Sequence, residues 1–344
     1  MLTGQDLINN MGSYQAVSDC IKKSSIDDIV SAVCQIINID DSNMLFTMTA
    51  NQRLRNGTVC TYMDLLIDLK NHIDSYDRLY SRLYDDKSRN ILRLLIAFRL
   101  VPDNSFLQTI CEKEKIKYFD SDIYSPNNSD VFIECSCHDN SVPQHIKDNC
   151  TKIYLYGSKF TEDSETNPDN IITIRFPDFE TVNATAISYN DLFAVKIDKD
   201  ITEKTKAIII DNDLLNIPKL IGAKNHIKND FPLIAIGIND SIESIYEIPE
   251  IIDNIHSNYK LYIRHYIGTE SRDTVLYAIP PQKRPKESIK IKKVAAIAPY
   301  STHGWSNAQL TKDCELIPFL LYKSYGMDVS FVGVTDRVED YPSA

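Results

Sequence analysis

The chain has 344 residues, of which 43% are hydrophobic and 25% are charged, and its net charge is -11. This length allows two or three domains with real cores, and the negative charge argues against nucleic acid or an anionic membrane surface as the main partner. No apolar run approaches the length of a membrane span and the N-terminus lacks a signal-peptide pattern, so a cytoplasmic protein is predicted. The eight cysteines are mostly scattered singly, which is typical of a reducing compartment rather than of a disulfide framework.

Residues 1–116 have the pattern of a mainly helical region. The spacing of apolar residues predicts helices over Ile26–Ile37 and Thr61–Ile73, followed by one or two helices over Tyr76–Leu100. Within this last stretch, the pair Asp85-Asp86 is a candidate helix start, because aspartate favours the first positions of a helix.

From about residue 117 the pattern changes to short β-rich runs with helices between them. This alternation predicts an α/β domain over residues 117–280, with a largely parallel sheet flanked by helices. The strands near residues 131–133 and 207–210 are expected to be neighbours, and the last two runs predict an antiparallel hairpin at one edge. The predicted strands are Val131–Ile133, Lys152–Tyr156, Ile171–Ile174, Ala207–Ile210, Leu233–Ile238, Lys260–His265 and Val275–Ile279.

A candidate ligand crevice follows the first of these strands. Glu134 closes the strand, the loop Cys135–Asn140 comes next, and a short helix is predicted over Gln144–Asn149. A strand, a tight loop and a helix form the geometry in which an α/β fold places a nucleotide-like cofactor. Such a loop normally contains glycines, because glycine lets the backbone approach a ligand closely, and this loop contains none.

Several acids could serve this crevice. Asp211 and Asp213 directly follow the strand Ala207–Ile210, at the edge of the sheet where side chains often face a ligand. The same residues could instead cap a helix over Leu214–Leu220. Glu134 and Asp139 have comparable positions. The sequence favours a filled, inert crevice in which these acids cap helices or face solvent, over a crevice that still binds a ligand.

A group of cysteines and histidines around this loop is a candidate zinc site. Their residue types could hold zinc, but no C-x-x-C pair is present and cysteines at strand ends often behave as small apolar residues. The sequence therefore predicts no metal site. The residues concerned are Cys135, Cys137, His138, His145 and Cys150.

The C-terminal part predicts a second, partial α/β unit over residues 294–344. Residues 281–293 form a predicted linker with six basic residues, which is either a solvated linker or a patch for an anionic ligand. A strand at Val294–Pro299, a helix at Leu310–Tyr325 and a strand at Val329–Val332 make one β-α-β unit. One such unit cannot bury both faces of its sheet, so we expect the natural chain to continue beyond Ala344.

Ordered blocks between about residues 76 and 280 resemble the FkbM family of methyltransferases, which use S-adenosylmethionine to methylate hydroxyls, often on sugars. The blocks are YDRLYSRLYDDKSR from Tyr76, YFDSDI from Tyr118, IDNDLLNIPKLIGAKNHI from Ile210, and then FPLIAIGI, YEIPEII, YKLYIRHY and TVLYAIP. The resemblance implies a Rossmann-like methyltransferase fold with a helical N-terminal region.

The resemblance also implies a set of cofactor-binding positions, and the sequence departs from the family there. Where the family has an Asp-Cys-Gly-Ala-aromatic-Asp-Gly loop, both glycines are replaced, by Ser136 and Asn140. Gly157 stands where the family has an acid that holds the ribose hydroxyls, and the family's Asp-Ile-Glu-Gly becomes Asp-Asn-Asp-Leu from Asp211. The implied positions are Glu134, Ser136, Asp139, Gly157, Asp211 and Asp213.

The segment from Ala295 to Gly333 resembles the opening unit of bacterial two-domain glycosyltransferases. Together the resemblances predict a non-catalytic, FkbM-like module of a bacterial glycan-assembly protein, with glycan or nucleotide-sugar pathway components as partners. The alternative is an active O-methyltransferase that uses S-adenosylmethionine on a sugar hydroxyl; without activity no cofactor is expected. A third hypothesis assigns all chemistry to the truncated glycosyltransferase part. The sequence leaves a homo-oligomer open.

Overall fold

The computed structural model describes residues 2–39, 45, 48–54, 58–112, 115–123, 130–135, 150–157, 171–175, 196–211, 216–238, 241–268, 273–281, 294–299 and 329–334. The chain divides into two compact units, Met1–Pro281 and Gln282–Ala344. In the second unit, β10 (Val294–Pro299) pairs in parallel with β11 (Val329–Val334). This pairing agrees with the predicted β-α-β unit, whose predicted helix lies outside the described residues. The predicted division of the first unit at residue 116 stays a prediction.

Four of the described helices of the first unit begin at capping residues that the sequence supplies. Thr3, Ser25, Thr61 and Asp85 each accept a hydrogen bond from a backbone N–H of the first helical turn. The helices are α1 (Gly4–Asn10), α2 (Tyr14–Lys23), α3 (Ile26–Ile37), α4 (Tyr62–Arg82), α5 (Asp86–Leu100), α6 (Ser105–Ile110), α7 (Lys196–Asp200), α8 (Asn216–Gly222), α9 (Lys224–Asp230) and α10 (Ser244–Ile255).

The helical predictions are partly confirmed. The helix α3 matches its predicted bounds, and α5 begins at the predicted Asp85-Asp86 pair. One prediction was wrong, and one element was not predicted. The helix α4 does not end at Ile73 but continues to Arg82, since neither glycine nor proline interrupts it. The hairpin of β1 (Thr49–Arg53) and β2 (Val59–Thr61) was missed, because its short strands contain mostly polar residues.

A seven-stranded sheet forms the centre of the first unit, in the order β5-β4-β3-β6-β7-β9-β8. The five strands from β5 to β7 are parallel, whereas β9 runs antiparallel to both of its neighbours. The predicted neighbours β3 and β6 are paired, and the predicted edge hairpin is β8 with β9, so both predictions are confirmed. The strands are β3 (Asp130–Cys135), β4 (Cys150–Gly157), β5 (Ile171–Arg175), β6 (Ala207–Ile210), β7 (Leu233–Gly237), β8 (Lys260–His265) and β9 (Thr274–Ile279).

Both faces of this sheet are covered, as its apolar central strands require. On one face, residues such as Ile133 and Ile208 join a large core shared with the N-terminal helices. On the other, residues such as Phe132 and Ile209 pack with Tyr118, Phe119 and Tyr277. This division follows from the strand period of two residues.

The outer edge of β8 is occupied by the helical region. The backbone N–H of Tyr84 donates to the carbonyl of Leu261 at 2.8 Å, and that of Glu112 donates to the carbonyl of His265 at 2.8 Å. These bonds satisfy groups on an edge that would otherwise be open to pairing with another strand. None of the described helices is long and apolar enough to cross a membrane.

Candidate functional site

The strand order reverses between β3 and β6, which makes this place the topological switch point of the sheet. From β3 the chain adds β4 and β5 on one side, and then returns to add β6 and β7 on the other. In open α/β sheets, ligands bind beyond the carboxyl ends of the strands at such a point. The backbone N–H of Asp211 donates to the carbonyl of Cys135 at 3.0 Å, so these two residues lie together where β3 and β6 end.

Asp211 lies immediately after β6, and its carboxylate is held by the segment that precedes β3. The hydroxyl of Tyr118 donates to Asp211 Oδ1 at 2.7 Å. The ammonium of Lys117 lies 3.8 Å from the same oxygen, and the Asp211 side chain is 17% exposed. The carboxylate predicted to face a ligand is therefore already paired with a hydroxyl and a cation of the chain itself.

Lys117 also links Asp211 to the start of β9. Its Nζ lies 2.7 Å from Oδ1 of Asp273, the residue before β9, and 5.0 Å from the centre of the Tyr118 ring. Tyr118 has a φ of 69°, a left-handed conformation that costs a bulky residue about 1–2 kcal/mol. Its buried ring and its bond to Asp211 hold it there. These contacts fix Lys117 and Tyr118 at the carboxyl edge of the sheet.

Glu134 lies on the same sheet face as Asp211. It precedes the last residue of β3 and is paired in register with Ile209 of β6, and it is 2% exposed. Asp211 is two residues beyond Ile209, so the strand period places both acids on one face at one edge. The strand continues through Cys135, one residue further than the predicted end at Glu134, because Cys135 still pairs with Ile210 and is fully buried.

The helix α8 brings a buried cation to the end of β3. Lys219 is 3% exposed, and its Nζ lies 3.4 Å from the carbonyl oxygen of Cys135. Asn216, at the start of the same helix, donates from Nδ2 to the carbonyl of Gly237 at 2.8 Å. Through Asn216 and Lys219 the helix therefore contacts the carboxyl ends of β7 and β3.

The end of β4 presents no side chain. Gly157 is its last residue and pairs with Arg175 of β5. The structure therefore places Gly157 at the carboxyl end of the strand beside β3, at the position where the resemblance implied a ribose-binding acid.

A second polar group lies further along the same edge, beside β8 and β9. The hydroxyls of Tyr266 and Tyr277 are 2.5 Å apart, and Tyr266 also donates to Asp120 Oδ2 at 3.4 Å. Burial raises the pKa of Tyr266 and that of Tyr277. Both phenols therefore stay protonated and act as hydrogen-bond groups rather than as bases.

Some predicted site residues cannot be compared with the structure. Ser136, Asp139 and Asp213 lie outside the described residues, as do Cys137, His138 and His145. Cys135 and Cys150 are described, and they lie at opposite ends of the paired strands β3 and β4. Within the part of the chain that the structure describes, no three His, Cys, Asp or Glu side chains are grouped to hold a metal.

Sequence reasoning missed four polar residues at this edge, namely Lys117, Asp273, Asn216 and Lys219. Lys117 and Asp273 belong to loops and carry no periodic signal. Lys219 resembled an ordinary exposed lysine of a short helix, since lysine is rarely buried. Tyr118 was within a block that carried the family resemblance, but its bond to Asp211 joins residues 93 positions apart.

Comparison with known proteins supports the fold. An FkbM methyltransferase from Methylobacillus flagellatus KT superimposes with a TM-score of 0.55 at 19% identity, covering 64% of this chain and 63% of that protein. The chain thus spans less than two thirds of the length of that structure. No protein-family profile and no curated protein sequence matches the chain. The first unit has a Rossmann-like methyltransferase fold, as the resemblance implied.

Two further solved structures are more distant. The Streptococcus mutans protein SMU.1697c, in complex with SAH, has a TM-score of 0.32 at 11% identity, covering 45% of this chain and 90% of that protein. The MycE methyltransferase of the mycinamycin biosynthetic pathway, in complex with Mg and SAH, has a TM-score of 0.30 at 14% identity, covering 58% of this chain and 49% of that protein. These similarities are too low to add to the argument.

Proposed function

We propose that the first unit is a non-catalytic, FkbM-like module of a bacterial glycan-assembly protein, where it contributes sugar binding, scaffolding or stability. The observation that carries this proposal is the pairing of the Asp211 carboxylate within the chain itself, because its Oδ1 accepts a hydrogen bond from Tyr118 at 2.7 Å and lies 3.8 Å from the ammonium of Lys117. Asp211 follows β6 at the switch point, where a methyltransferase of this fold would hold its cofactor. The link to glycan assembly rests on the resemblance of the C-terminal segment to glycosyltransferases.

The glycine at the end of β4 supports the same proposal. A carboxylate at Gly157 could accept hydrogen bonds from ribose hydroxyls, each worth about 1.5–3 kcal/mol for a charged acceptor. Its absence weakens cofactor binding by roughly tenfold to a hundredfold, since about 1.4 kcal/mol corresponds to a factor of ten. Asp211, on the other side of β3, already pairs through Oδ1 with Tyr118 and Lys117.

The alternative is an active O-methyltransferase that uses S-adenosylmethionine on a sugar hydroxyl. Its support is the retained fold and the placement of Glu134 and Asp211 on one face at the switch point. In that case these two acids would hold the cofactor, which would supply the methyl group. The two functions differ in whether the crevice accepts the cofactor.

Calorimetric titration of the whole chain with S-adenosylmethionine and S-adenosylhomocysteine separates them. We expect the wild type to bind neither below the millimolar range, and Gly157→Asp to bind more tightly than the wild type. Gly12→Asp, at an exposed position between α1 and α2, is the matched control and should not change the titration. Micromolar binding by the wild type would establish the alternative.

A further inference from the structure

A buried polar cluster lies at the amino edge of the sheet, where the chain leaves α7 and enters β6. Its centre is His226 of α9, which is 7% exposed. Nδ1 of this ring lies 2.8 Å from Oδ2 of Asp230, one helical turn further along α9, and Nε2 lies 3.0 Å from the carbonyl oxygen of Ile201. The ring is therefore held at both nitrogens, by a carboxylate on one side and by a backbone carbonyl on the other.

Both partners of the His226 ring are hydrogen-bond acceptors. A neutral imidazole has a proton on one nitrogen and a lone pair on the other, so it can donate to only one of them. With the proton on Nε2, the lone pair of Nδ1 faces Asp230 at 2.8 Å; with the proton on Nδ1, the lone pair of Nε2 faces the Ile201 carbonyl at 3.0 Å. Only the doubly protonated ring, with two donors and a positive charge, satisfies both contacts.

The hydroxyl of Thr205 does not change this assignment. Its Oγ1 lies 3.3 Å from Nδ1 of His226 and could donate to an unprotonated nitrogen there. The same hydroxyl can donate instead to the carbonyl of Glu203, at 3.4 Å. The Asp230 carboxylate is closer to Nδ1 and, being ionised, has no proton to offer, so the proton of this hydrogen bond belongs to the ring.

The charged groups around the ring favour its positive form. Asp198 of α7 accepts hydrogen bonds from the backbone N–H groups of Asn225 and His226, at 2.7 and 3.1 Å, so two carboxylates flank α9. Burial raises the pKa of Tyr259, before β8, and the nearby Asp230 raises it further, so this phenol stays uncharged. Burial of the ring opposes a charge, whereas a carboxylate in direct contact favours one.

Asp230 uses the same oxygen to hold the segment that enters β6. Its Oδ2 accepts the backbone N–H of Thr205 at 3.0 Å. The next residue, Lys206, donates from its backbone N–H to the carbonyl of Val131 at 2.9 Å, and its own carbonyl accepts from the N–H of Leu233 at 2.8 Å. The segment held in this way therefore leads directly into β6, between β3 and β7.

We propose that His226 and Asp230 form a proton-dependent latch, in which a doubly protonated histidine fastens α9 to the segment that enters β6. Loss of one ring proton places a lone pair against Asp230 or against the Ile201 carbonyl, so the latch opens. A ring that holds its proton more strongly in the folded than in the unfolded chain adds stability. This contribution is fully present below about pH 6.5, the ordinary value for histidine, and is lost as the pH rises above it.

The latch goes beyond the proposed function, because it lies at the amino edge of the sheet and does not depend on whether the crevice accepts a cofactor. Two-bond ¹H–¹⁵N correlation NMR of the full chain, labelled at histidine, tests it at about pH 7.5, where an ordinary histidine is mostly neutral. We expect both ring nitrogens of His226 to give the signals of protonated nitrogens. An unprotonated nitrogen in this ring would overturn the proposal.

His256 is the internal comparison in the same spectrum. Its Nδ1 accepts the backbone N–H of Asn258 at 3.3 Å, so this nitrogen should give the signal of an unprotonated nitrogen. The loss of one set of signals in His226→Gln assigns the ring. If that variant does not fold, the set that Asp230→Asn shifts most serves the same purpose.

Urea denaturation of the full chain between about pH 6.5 and 8.5 tests whether the proton contributes to stability. Asp230→Asn keeps an oxygen for the Thr205 N–H and removes the charge that holds the ring proton. We expect its urea midpoint to lie below that of the wild type at the lower pH, and the gap to narrow as the pH rises and the wild type loses the latch. Asp200→Asn, at an exposed residue of α7, is the matched control and should follow the wild type throughout. The proposal is wrong if the gap for Asp230→Asn stays constant with pH.

Discussion

The hydroxyl of Tyr246 donates to Oδ1 of Asp68 at 2.8 Å, which joins two residues 178 positions apart in the chain. Asp68 lies in α4 and Tyr246 in α10, so this bond links the N-terminal helices to the helix that follows β7. Tyr76 and Arg99 donate to the other oxygen of Asp68, at 3.2 and 3.4 Å. A single buried carboxylate therefore orients the Tyr246 ring and neutralises a buried arginine.

Removal of this carboxylate should strongly destabilise the first unit. We expect Asp68→Ala to lower the free energy of unfolding by about 3–5 kcal/mol, because the 2%-exposed Arg99 side chain loses its buried acidic partner. Urea denaturation followed by circular dichroism measures the change. Asp19→Ala, on the exposed side of α2, is the control and should alter the free energy by less than about 0.5 kcal/mol.

A double variant separates loss of charge balance from loss of packing. Asp68→Leu with Arg99→Met removes both charges and should recover most of the stability lost in Asp68→Ala, since buried ion pairs are often replaceable by apolar side chains. If the double variant is as unstable as the single one, the buried charge of Arg99 is not the cause.

Arg82 should not tolerate replacement by lysine. Its planar group binds both oxygens of Asp253 and the carbonyls of Ser257 and Tyr259, and the bond to Asp253 raises the pKa of Arg82. A lysine offers one point charge and cannot form this fork. We expect Arg82→Lys and Arg82→Ala to cost similar amounts, about 1–2 kcal/mol, because the pair is partly exposed.

The same denaturation experiment compares the two Arg82 variants directly. Arg89→Lys is the matched control, because the partner of Arg89 in its ion pair, Asp86, is almost fully exposed. Full retention of stability in Arg82→Lys would show that charge alone, and not the two-pronged geometry, holds α4 to α10.

The hydrogen bond between Tyr118 and Asp211 should stabilise the segment that precedes β3. Tyr118→Phe keeps the buried ring and removes the hydroxyl, so it should lower the free energy of unfolding by about 1.5–3 kcal/mol, the usual range for a hydrogen bond to a charged group. Tyr84→Phe, at a residue that is 53% exposed, is the matched control and should have little effect. Equal stabilities of the two variants would mean that the bond contributes nothing.

The sequence predicted the sheet well because its signal is local. A strand such as Ala207–Ile210 is a run of apolar residues, and its neighbours follow from the connection rules of α/β folds. Helix starts at residues such as Asp85 are likewise encoded in a few adjacent positions. These features do not depend on which distant residues meet.

The candidate site was harder to predict because its contacts are distant in sequence. The contact of Lys219 with Cys135 spans 84 positions, and the hydrogen bond of Lys117 to Asp273 spans 156. The strand ends drew attention to Asp211 and Glu134, and their role at the switch point stays a prediction. They could not show that Tyr118 and Lys117 pair with Asp211, since neither residue has a periodic or capping signal.

The stability of the first unit should depend on pH through His265. This histidine ends β8, is fully buried, and lies 3.0 Å by Nδ1 from the Thr274 hydroxyl oxygen. Burial lowers the pKa of His265 from 6.5 to about 4. Two smaller effects oppose each other, because Asp273 raises this pKa and Lys117 lowers it. The folded state therefore favours the neutral ring. Below pH 6.5 the unfolded chain binds a proton at this position and the folded chain does not.

It follows that stability falls as the pH is lowered from 6.5 towards 4, by about 3 kcal/mol in total if the group acts alone. Glu203, whose pKa is lowered from 4.5 to about 2 by its bonds to Lys152 and Tyr154, acts mainly below this window. Unfolding free energies measured by urea between pH 4 and 7 should therefore rise with pH in the wild type. His265→Gln should flatten this rise whatever its own stability, because glutamine does not titrate. Parallel curves for the two proteins would show that His265 is not the group responsible.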